Sequence, residues 1–281
     1  MDIIFPLPTE KKETKVVTFY SLNTEIQKVT IIGTGNVAHW LAFVLKKAKV
    51  TISQIWGRDE AKCRILAENC GAEAITDFGN LKDNSDLYIF SLKDDSYEKV
   101  IAEMPFQLPM AVLTSGSISQ HVLAPITPRY GTLYPCQTLS AGMDFSSVEV
   151  PLCVEGCDEE VKMQLLHFAK QLSGNVQVMS EEQRQFLHLA AVFACNFTNA
   201  QYGIAFDILK KENIDPQILI PLLQNTLDKI KNMSPHAAQT GPAVRNDKNV
   251  MDKHLELIND NNLKEIYQKI SQYIMEHKSN E

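Results

Sequence analysis

The chain has 281 residues, a formal net charge of −7 and a hydrophobic content of 44%. This length and apolar content suffice for one large domain or two ordinary domains with a sizeable core. The acidic balance and the absence of a cluster of lysine and arginine argue against a nucleic-acid partner. No segment approaches about 18 consecutive uncharged apolar residues, so we expect no transmembrane helix and no membrane partner.

The first residues of the chain and the spacing of its cysteines indicate the cellular compartment to expect. Residues 1–26 lack the apolar core and small-residue cleavage site of a secretory signal. We interpret them as an N-terminal extension, or as a leading edge strand at Val16–Tyr20, without a function. Six cysteines are scattered without paired C-x-x-C spacing, so we expect reduced thiols, no metal site and a cytoplasmic location.

A strand, a tight turn and a helix are predicted at Lys28–Ala38, K-V-T-I-I-G-T-G-N-V-A. Gly33 permits a sharp exit from the strand, and Gly35 has no Cβ. A pyrophosphate can therefore approach the N-terminus of the helix, where free N–H groups and the helix dipole favour an anion. This favours dinucleotide binding over a purely structural glycine turn. The cofactor contacts expected in this turn are Gly33, Thr34, Gly35, Asn36 and Val37.

The second predicted strand, Thr51–Trp56, ends where NAD sites usually present an acidic residue to the ribose 2′-hydroxyl. Arg58 comes first here, and a guanidinium can pair with a 2′-phosphate in bidentate fashion, whereas an acid would repel it. The sequence therefore predicts NADP as the cofactor in preference to NAD. In the alternative, Arg58 is a solvated residue and Asp59 only caps the next helix, which leaves the preference open.

Further strands and helices alternate along the chain. Strands are predicted at Glu73–Asp77, Asp86–Leu92 and Met110–Leu113, with helices at Glu60–Asn69 and Tyr97–Met104. Right-handed crossovers place the carboxyl ends of such strands along one edge, where ligands bind. The additional cofactor contacts expected at this edge are Ser91, Leu92, Lys93, Ser115 and Gly116. For the two serines, helix capping is an equally good explanation.

A polar, turn-rich segment, Pro125–Ser147, is expected to interrupt this alternation. A strand, a helix and a strand follow, at Val150–Val154, Glu159–Leu172 and Val176–Val178. Ser180–Gln183 then has the S-x-x-Q form of a capping box, and all that follows has helical character. The expected fold class is α/β: an N-terminal Rossmann-type, doubly wound, mostly parallel sheet at residues 27–180, followed by an all-α C-terminal domain at residues 181–281.

The C-terminal domain begins with a long helix predicted from Glu181 to about Leu209. At about 100° per residue, one stripe of this largely apolar and buried helix is polar. The stripe consists of Arg184, His188, Asn199 and Tyr202, with Asn196 at its edge. Buried polar groups need partners, and a ligand, the neighbouring backbone or water could supply them.

A Gly-Pro loop near the end of the chain, Thr240–Asp247, presents Arg245. This arginine is expected to bind an anionic group of a substrate. Alternatively, it ties the loop down through a salt bridge.

Five segments carry a family resemblance: G-T-G-N-V-A, L-T-S-G-S, Y-P-C-Q-T, E-Q-R-Q-F-L-H-L-A-A-V-F-A-C-N and T-G-P-A-V-R-N-D. From Lys28 onward the chain resembles the Rossmann-like superfamily of pyrroline-5-carboxylate reductase and 6-phosphogluconate dehydrogenase. It is most similar to a branch with a helical C-terminal domain of unknown function. The resemblance implies two domains, NADP binding and a homodimer formed through the helical domain. Tyr134 stands where the branch commonly has histidine, and the relatives' catalytic lysine has no clear counterpart.

The predicted function is an NADP-dependent oxidoreductase that moves a hydride between the nicotinamide and a small C=O or C=N substrate. His188 is the expected general acid or base, because histidine side chains titrate near neutral pH, and Asn196 is expected to orient the substrate. The predicted substrate contacts are Asn199, Tyr202 and Arg245. The alternative is a dinucleotide-binding sensor or assembly module without turnover, which the missing lysine favours. A third possibility, reduction of a deazaflavin coenzyme, follows only from similarity at the glycine turn.

Overall fold

A computed structural model describes residues 25–140 and 142–277 of the chain. The chain divides into two compact units, and the division falls between Thr198 and Asn199. The sequence predicts a domain boundary near Ser180, and that boundary stays a prediction. The strand predicted at Val16–Tyr20 lies outside the described residues.

The first unit is built on a sheet of eight strands in the order β3-β2-β1-β4-β5-β6-β7-β8. The strands are β1 (Lys28–Ile32), β2 (Thr51–Trp56), β3 (Glu73–Ile75), β4 (Leu87–Phe90), β5 (Ala111–Leu113), β6 (Tyr130–Pro135), β7 (Leu152–Gly156) and β8 (Val176–Val178). Strands β1 to β6 are parallel, whereas β7 is antiparallel to β6 and pairs in parallel with β8. The predicted α/β class with a mostly parallel sheet is confirmed.

Helices cover both faces of this sheet. They are α1 (Asn36–Lys47), α2 (Glu60–Cys70), α3 (Tyr97–Ala102), α4 (Glu159–Leu172) and α5 (Glu181–Ala191). The capping box predicted at the start of α5 is present, because Ser180 and Gln183 each accept a hydrogen bond from the other's backbone N–H. Asp59 and Asp158 cap α2 and α4 in the same way, each by accepting from a backbone N–H three residues ahead.

The core forms two apolar layers, one on each face of the sheet. Alternate residues of β4 enter opposite layers: Leu87 and Ile89 pack on one face, and Tyr88 and Phe90 pack on the other. All four are fully buried, as the continuous apolar sequence of this strand predicts for a parallel strand covered on both sides. The doubly wound arrangement therefore follows from the apolar character of the central strands.

The segment Pro125–Ser147 contains a strand, so its prediction as a turn-rich interruption is wrong. Strand β6 lies between β5 and β7, and its Leu133 is fully buried. Glycine at its second position and proline at its last are rare inside strands, which concealed it. The glycine is required, because a Cβ at Gly131 would lie 2.4 Å from the Glu155 carbonyl oxygen.

The long helix predicted from Glu181 is not a uniform α-helix. A π-helical segment, Val192–Phe197, separates α5 from α6 (Thr198–Lys211). Because π-helical hydrogen bonds join residues five apart, the rotation per residue changes across this segment. The stripe drawn at a constant angle is therefore wrong: it joins His188, which precedes the π segment, to Asn199 and Tyr202, which follow it.

The regular secondary structure of the second unit, in its described residues, consists of helices joined by turns and loops. After α6 come α7 (Ile220–Asn232), α8 (Pro235–Ala238), α9 (Lys248–Leu257) and α10 (Asn261–Glu276). Asp247 and Asp260 cap α9 and α10. Across residues 25–140 and 142–277, we find no helix with the length and apolar character needed to span a bilayer.

Candidate functional site

A cleft of about 740 Å³ lies at the carboxyl ends of strands β1, β2, β4, β5 and β6. Its volume is typical of small-molecule and cofactor sites, which measure roughly 300–1,000 Å³. The loops after these strands line it, together with α5 and the π segment, and all of these elements belong to the first unit. The predicted residues found in its lining are Gly33, Thr34, Gly35, Asn36, Val37, Arg58, Ser91, Leu92, Lys93, Ser115, Gly116, His188 and Asn196.

Gly33 is required by the packing of the protein itself. Its φ of +130° is a conformation that side-chain-bearing residues rarely adopt. A Cβ at this position would also lie 2.0 Å from the carbonyl oxygen of Ser91, at the end of β4. Any side chain here would force apart the ends of two adjacent strands.

Gly35 has no comparable structural reason to be glycine. Its φ of −82° and ψ of −176° are accessible to any residue. No described atom lies within 4 Å of the position that its Cβ would occupy. The missing side chain leaves open space in the cleft beside the N-terminus of α1, which is the cradle that a diphosphate needs.

Arg58 lies in the lining of the cleft beyond β2 and is exposed. Within the described part of the chain, its guanidinium has no hydrogen bond or ion pair. The neighbouring Asp59 is already engaged, because its carboxylate accepts a hydrogen bond from the backbone N–H of Lys62 at 3.1 Å. That bond also holds the pKa of Asp59 below its usual value. Lys62 also lines the cleft, although no cofactor contact was predicted for it from the sequence.

The loops after β4 and β5 are tied together by Asp94. Its Oδ1 accepts a hydrogen bond from the Ser115 hydroxyl at 2.8 Å, and its other oxygen accepts one from the Ser117 hydroxyl. The Ser115 oxygen in turn accepts from the backbone N–H groups of Ser117 and Ile118, each at 3.1 Å. The side chain of Ser115 therefore shapes the loop. The next helix begins at Gln120 and is capped by Ser119, so Ser115 does not cap a helix, and its contact with the cofactor stays a prediction.

Arg184 does not face a ligand, contrary to its predicted place on the polar stripe of the long helix. It is 1% exposed, and its Nη1 donates to the carbonyl oxygen of Ser115 at 2.8 Å. Burial lowers the pKa of Arg184 and raises that of the nearby Glu155. Glu155 and Glu181, both only partly buried, favour the charged form of this guanidinium, and Glu181 Oε2 lies 3.9 Å from its Nη2.

His188 lies one helical turn after Arg184 and packs against the adjacent glycine of the same loop. A Cβ at Gly116 would lie 2.6 Å from His188 Nδ1 and 2.7 Å from its Cγ. Glycine is therefore the residue that allows the imidazole to pack against this loop. Two residues spaced four apart on α5 thus hold the Ser115–Gly116 turn, and His188 lines the cleft there.

Tyr134, on β6, is the hydrogen-bonding partner of this histidine. Its hydroxyl oxygen lies 3.1 Å from His188 Nδ1, and the two rings meet edge to face. Burial raises the pKa of the Tyr134 phenol, so the hydroxyl keeps its proton at neutral pH. The segment Y-P-C-Q-T carries part of the family resemblance, but no role was predicted for Tyr134 because strand β6 was not predicted. Cys136 and Cys195 also line this end of the cleft.

Three predicted substrate contacts lie in the second unit. Asn199, Tyr202 and Arg245 are all exposed. The salt bridge considered for Arg245 is not found among residues 25–140 and 142–277. Substrate contact by these three side chains stays a prediction.

The sheet order, the glycine turn after β1 and the cleft together define a dinucleotide-binding protein of the Rossmann type. Residues 28–115 match the family described as NADP oxidoreductase, coenzyme F420-dependent. Residues 150–274 match a domain of unknown function, DUF2520. Among curated proteins, no match was found.

A solved structure places the chain in a family. A candidate NADP oxidoreductase from Bacteroides fragilis is 36% identical, has a TM-score of 0.83, and the match covers 90% of this chain and 99% of that one. The chain therefore belongs to this NADP oxidoreductase family, and the predicted resemblance is confirmed.

Two less similar structures show that the fold is shared more widely. Pyrroline-5-carboxylate reductase from Streptococcus pyogenes is 16% identical with a TM-score of 0.61, over 90% of this chain and 100% of that one. An imine reductase from Myxococcus stipitatus, solved with NADP+, is 15% identical with a TM-score of 0.58. The match covers 89% of this chain and 92% of that one. At these identities the likeness establishes the fold alone.

Substitutions at the two glycines of the turn should have different effects, one on cofactor binding and the other on the free energy of unfolding. We expect Gly35→Ala to weaken NADPH binding at least about tenfold, because a methyl group would enter the diphosphate space. Its free energy of unfolding should fall by less than about 1 kcal/mol. Gly33→Ala should instead lower the free energy of unfolding by more than about 2 kcal/mol. Calorimetric titration and urea unfolding distinguish the two, and wild-type NADPH affinity in Gly35→Ala would refute this role for the cleft.

Proposed function

We propose that this protein is an NADP-dependent reductase that acts on a small C=O or C=N substrate in the cleft of the first unit. The observation that carries this is Gly35, where the backbone needs no glycine but a diphosphate needs the space. Membership of an NADP oxidoreductase family supports the cofactor. When bound, NADPH supplies the hydride, and the protein supplies position and the proton.

The 2′-phosphate end of the cleft is formed by Arg58 and Lys62. Arg58 has a guanidinium with no protein partner among the described residues, and Lys62 adds a second cation nearby. Asp59 Oδ1 caps α2, and its Oδ2 lies 3.5 Å from Lys62 Nζ, so both oxygens of this acid already have partners in the protein. This arrangement favours a phosphate over a hydroxyl at the ribose.

At the other end, His188 and Asn196 face the cleft and act on the substrate. Hydride addition to C=O or C=N leaves a pair of electrons on the heteroatom, which must gain a proton. His188 gives that proton as general acid, and Asn196 orients the substrate through its amide. Asn199, Tyr202 and Arg245 remain our candidates for further substrate contacts.

The assignment of NADP as the cofactor is tested by substituting two arginines that lie close together in the sequence, Arg58 and Arg64. Arg58→Ala should lower NADPH affinity about tenfold, since a charge-assisted contact is worth about 1.5–3 kcal/mol and this one is exposed. NADH affinity should change less than about twofold. Arg64→Ala is the control, because Arg64 pairs with Glu60 at 2.6 Å outside the cleft and should change neither affinity. A wild-type preference for NADH that survives in Arg58→Ala would remove the NADP assignment.

The catalytic assignment requires a panel of keto acids, imines and aldehydes with NADPH oxidation as the readout. On a substrate so identified, His188→Ala should lower kcat/KM about 100-fold and Asn196→Ala about tenfold or more. The control is His121→Ala, because His121 pairs with Tyr130 away from the cleft and should leave turnover unchanged. Unaltered turnover in the first two variants would refute their roles. Tight NADPH binding without oxidation across the panel would favour a non-catalytic binding module.

We also propose a homodimer formed through the helical part of the chain. Four apolar residues of α5 and the π segment recur at spacings of three or four and are 49–65% exposed: Phe186, Leu189, Phe193 and Phe197. Helices α7 and α10 add further exposed apolar residues: Leu222, Leu227, Ile230, Ile266, Ile270 and Tyr273. Apolar surface on this scale marks an interface rather than a solvated face.

The dimer is tested by light scattering coupled to size-exclusion chromatography. Wild type should elute with twice the chain mass, and Phe193→Asp, at a position 63% exposed, should elute as a monomer. Ile65→Asp is the control, because Ile65 is similarly exposed at 57% but stands on α2 of the sheet domain. A monomeric wild type, or a dimer that persists in Phe193→Asp, would rule out this interface.

The proposed compartment is the cytoplasm. All six cysteines are free thiols, which is the state expected in a reducing environment. A small-molecule substrate and a soluble cofactor fit the same setting.

A further inference from the structure

We propose that Tyr134 is a positioning residue that reserves Nδ1 of His188, so that proton exchange with the substrate passes through Nε2 alone. This rests on the proposed role of His188 as general acid. Tyr134 acts through the histidine, and its contribution is to fix which nitrogen is reactive.

The geometry places two groups on one edge of the imidazole. The Tyr134 hydroxyl lies 3.1 Å from Nδ1, and the backbone of Gly116 packs against Nδ1 and Cγ so closely that a Cβ would overlap them. His188 itself lines the cleft. With the Nδ1 edge occupied by protein, Nε2 is the nitrogen left for a ligand.

A phenol suits this position in every protonation state of the histidine. A hydroxyl can accept from Nδ1–H when the imidazole is charged, and it can donate to Nδ1 when that nitrogen is bare. Tyr134 is only 8% exposed and stays neutral at physiological pH, so it brings no second charge to the pair. A carboxylate in its place would accept only, and would hold the imidazole charged.

The surroundings of the phenol leave its oxygen available for this role. Besides burial, the neighbouring Cys136 thiol raises the pKa of Tyr134, and Cys153 stands opposite Tyr134 on β7. Thiols are weak hydrogen-bond partners, so the imidazole is the strong partner of this hydroxyl. The charge of the buried Arg184 also acts on the phenol, and the hydrogen bond of Arg184 to the Ser115 carbonyl directs its guanidinium to the loop.

The proton balance follows from this arrangement. The imidazolium of His188 gives its Nε2 proton to the substrate heteroatom, which becomes O–H or N–H as the carbon gains hydride. The neutral imidazole keeps Nδ1–H, donated to the Tyr134 oxygen, and Nε2 regains a proton from water in the cleft. The bond at Nδ1 persists through the whole cycle.

Nuclear magnetic resonance of protein labelled with 15N-histidine tests this without a known substrate. In the acidic form of wild type, the Nδ1–H proton of His188 should be protected from exchange with water, and the Nε2–H proton should exchange rapidly. The resonances are assigned by their loss in His188→Gln. In Tyr134→Phe, which keeps the ring, the Nδ1–H signal should lose its protection and its 15N shift should move.

The chain offers a matched control in a second tyrosine–histidine pair on the same strand. The Tyr130 hydroxyl lies 2.9 Å from His121 Nδ1, and neither residue lines the cleft. Tyr130→Phe should alter the His121 signals and leave those of His188 unchanged. Gly116→Ala is a second perturbation, which should displace the imidazole and shift the His188 Nδ1 resonance with Tyr134 intact.

The outcomes separate this inference from the proposed function. His188 Nδ1 signals that are identical in wild type and Tyr134→Phe would overturn the positioning role, whether or not the protein binds NADPH. Loss of protection in Tyr134→Phe supports it even in a protein that fails to bind NADPH. On any substrate found in the panel, Tyr134→Phe should lower kcat about tenfold or more with the KM for NADPH unchanged, and an unaltered kcat would overturn the inference.

Discussion

The contact between α5 and the Ser115–Gly116 turn determines where His188 lies in the cleft. Arg184 reaches the Ser115 carbonyl oxygen from inside the protein, and His188 packs on the glycine that follows. Burying a guanidinium costs several kcal/mol, and here the Ser115 carbonyl accepts one hydrogen bond while the charges of Glu155 and Glu181 favour the charged form. Its Nε and Nη2 have no hydrogen-bond partner among the described residues. Because both contacts come from one helix face, the loop and the histidine are positioned together.

The two ends of the cleft are lined by side chains of different character. Cationic side chains, Arg58 and Lys62, lie beyond β2, where a phosphate would be held. The opposite end is lined by the phenol of Tyr134, the imidazole of His188 and the amide of Asn196. Cations at one end and hydrogen-bonding groups at the other are the arrangement on which the proposed reductase function rests.

The apolar faces of the helical region give a second constraint. A helix that carries His188 toward the cleft on one side exposes Phe186 and Phe193 on another. Covering that surface would fix the helix more firmly, and with it the histidine. The proposed dimer interface and the proposed general acid therefore lie on one continuous helical segment.

The sequence by itself determined those features that local pattern controls. The glycine turn between β1 and α1, the bounds of β2, α4 and β8, and the capping box of α5 follow from spacing over a few residues, as does membership of an NADP-binding family. Tertiary structure decided the remainder. Strand β6 is held by its neighbours in the sheet despite its glycine and proline, the π segment shifts the face of the long helix, and Arg184 turns inward. The pairing of His188 with Tyr134 joins residues 54 positions apart, a distance over which periodicity carries no information.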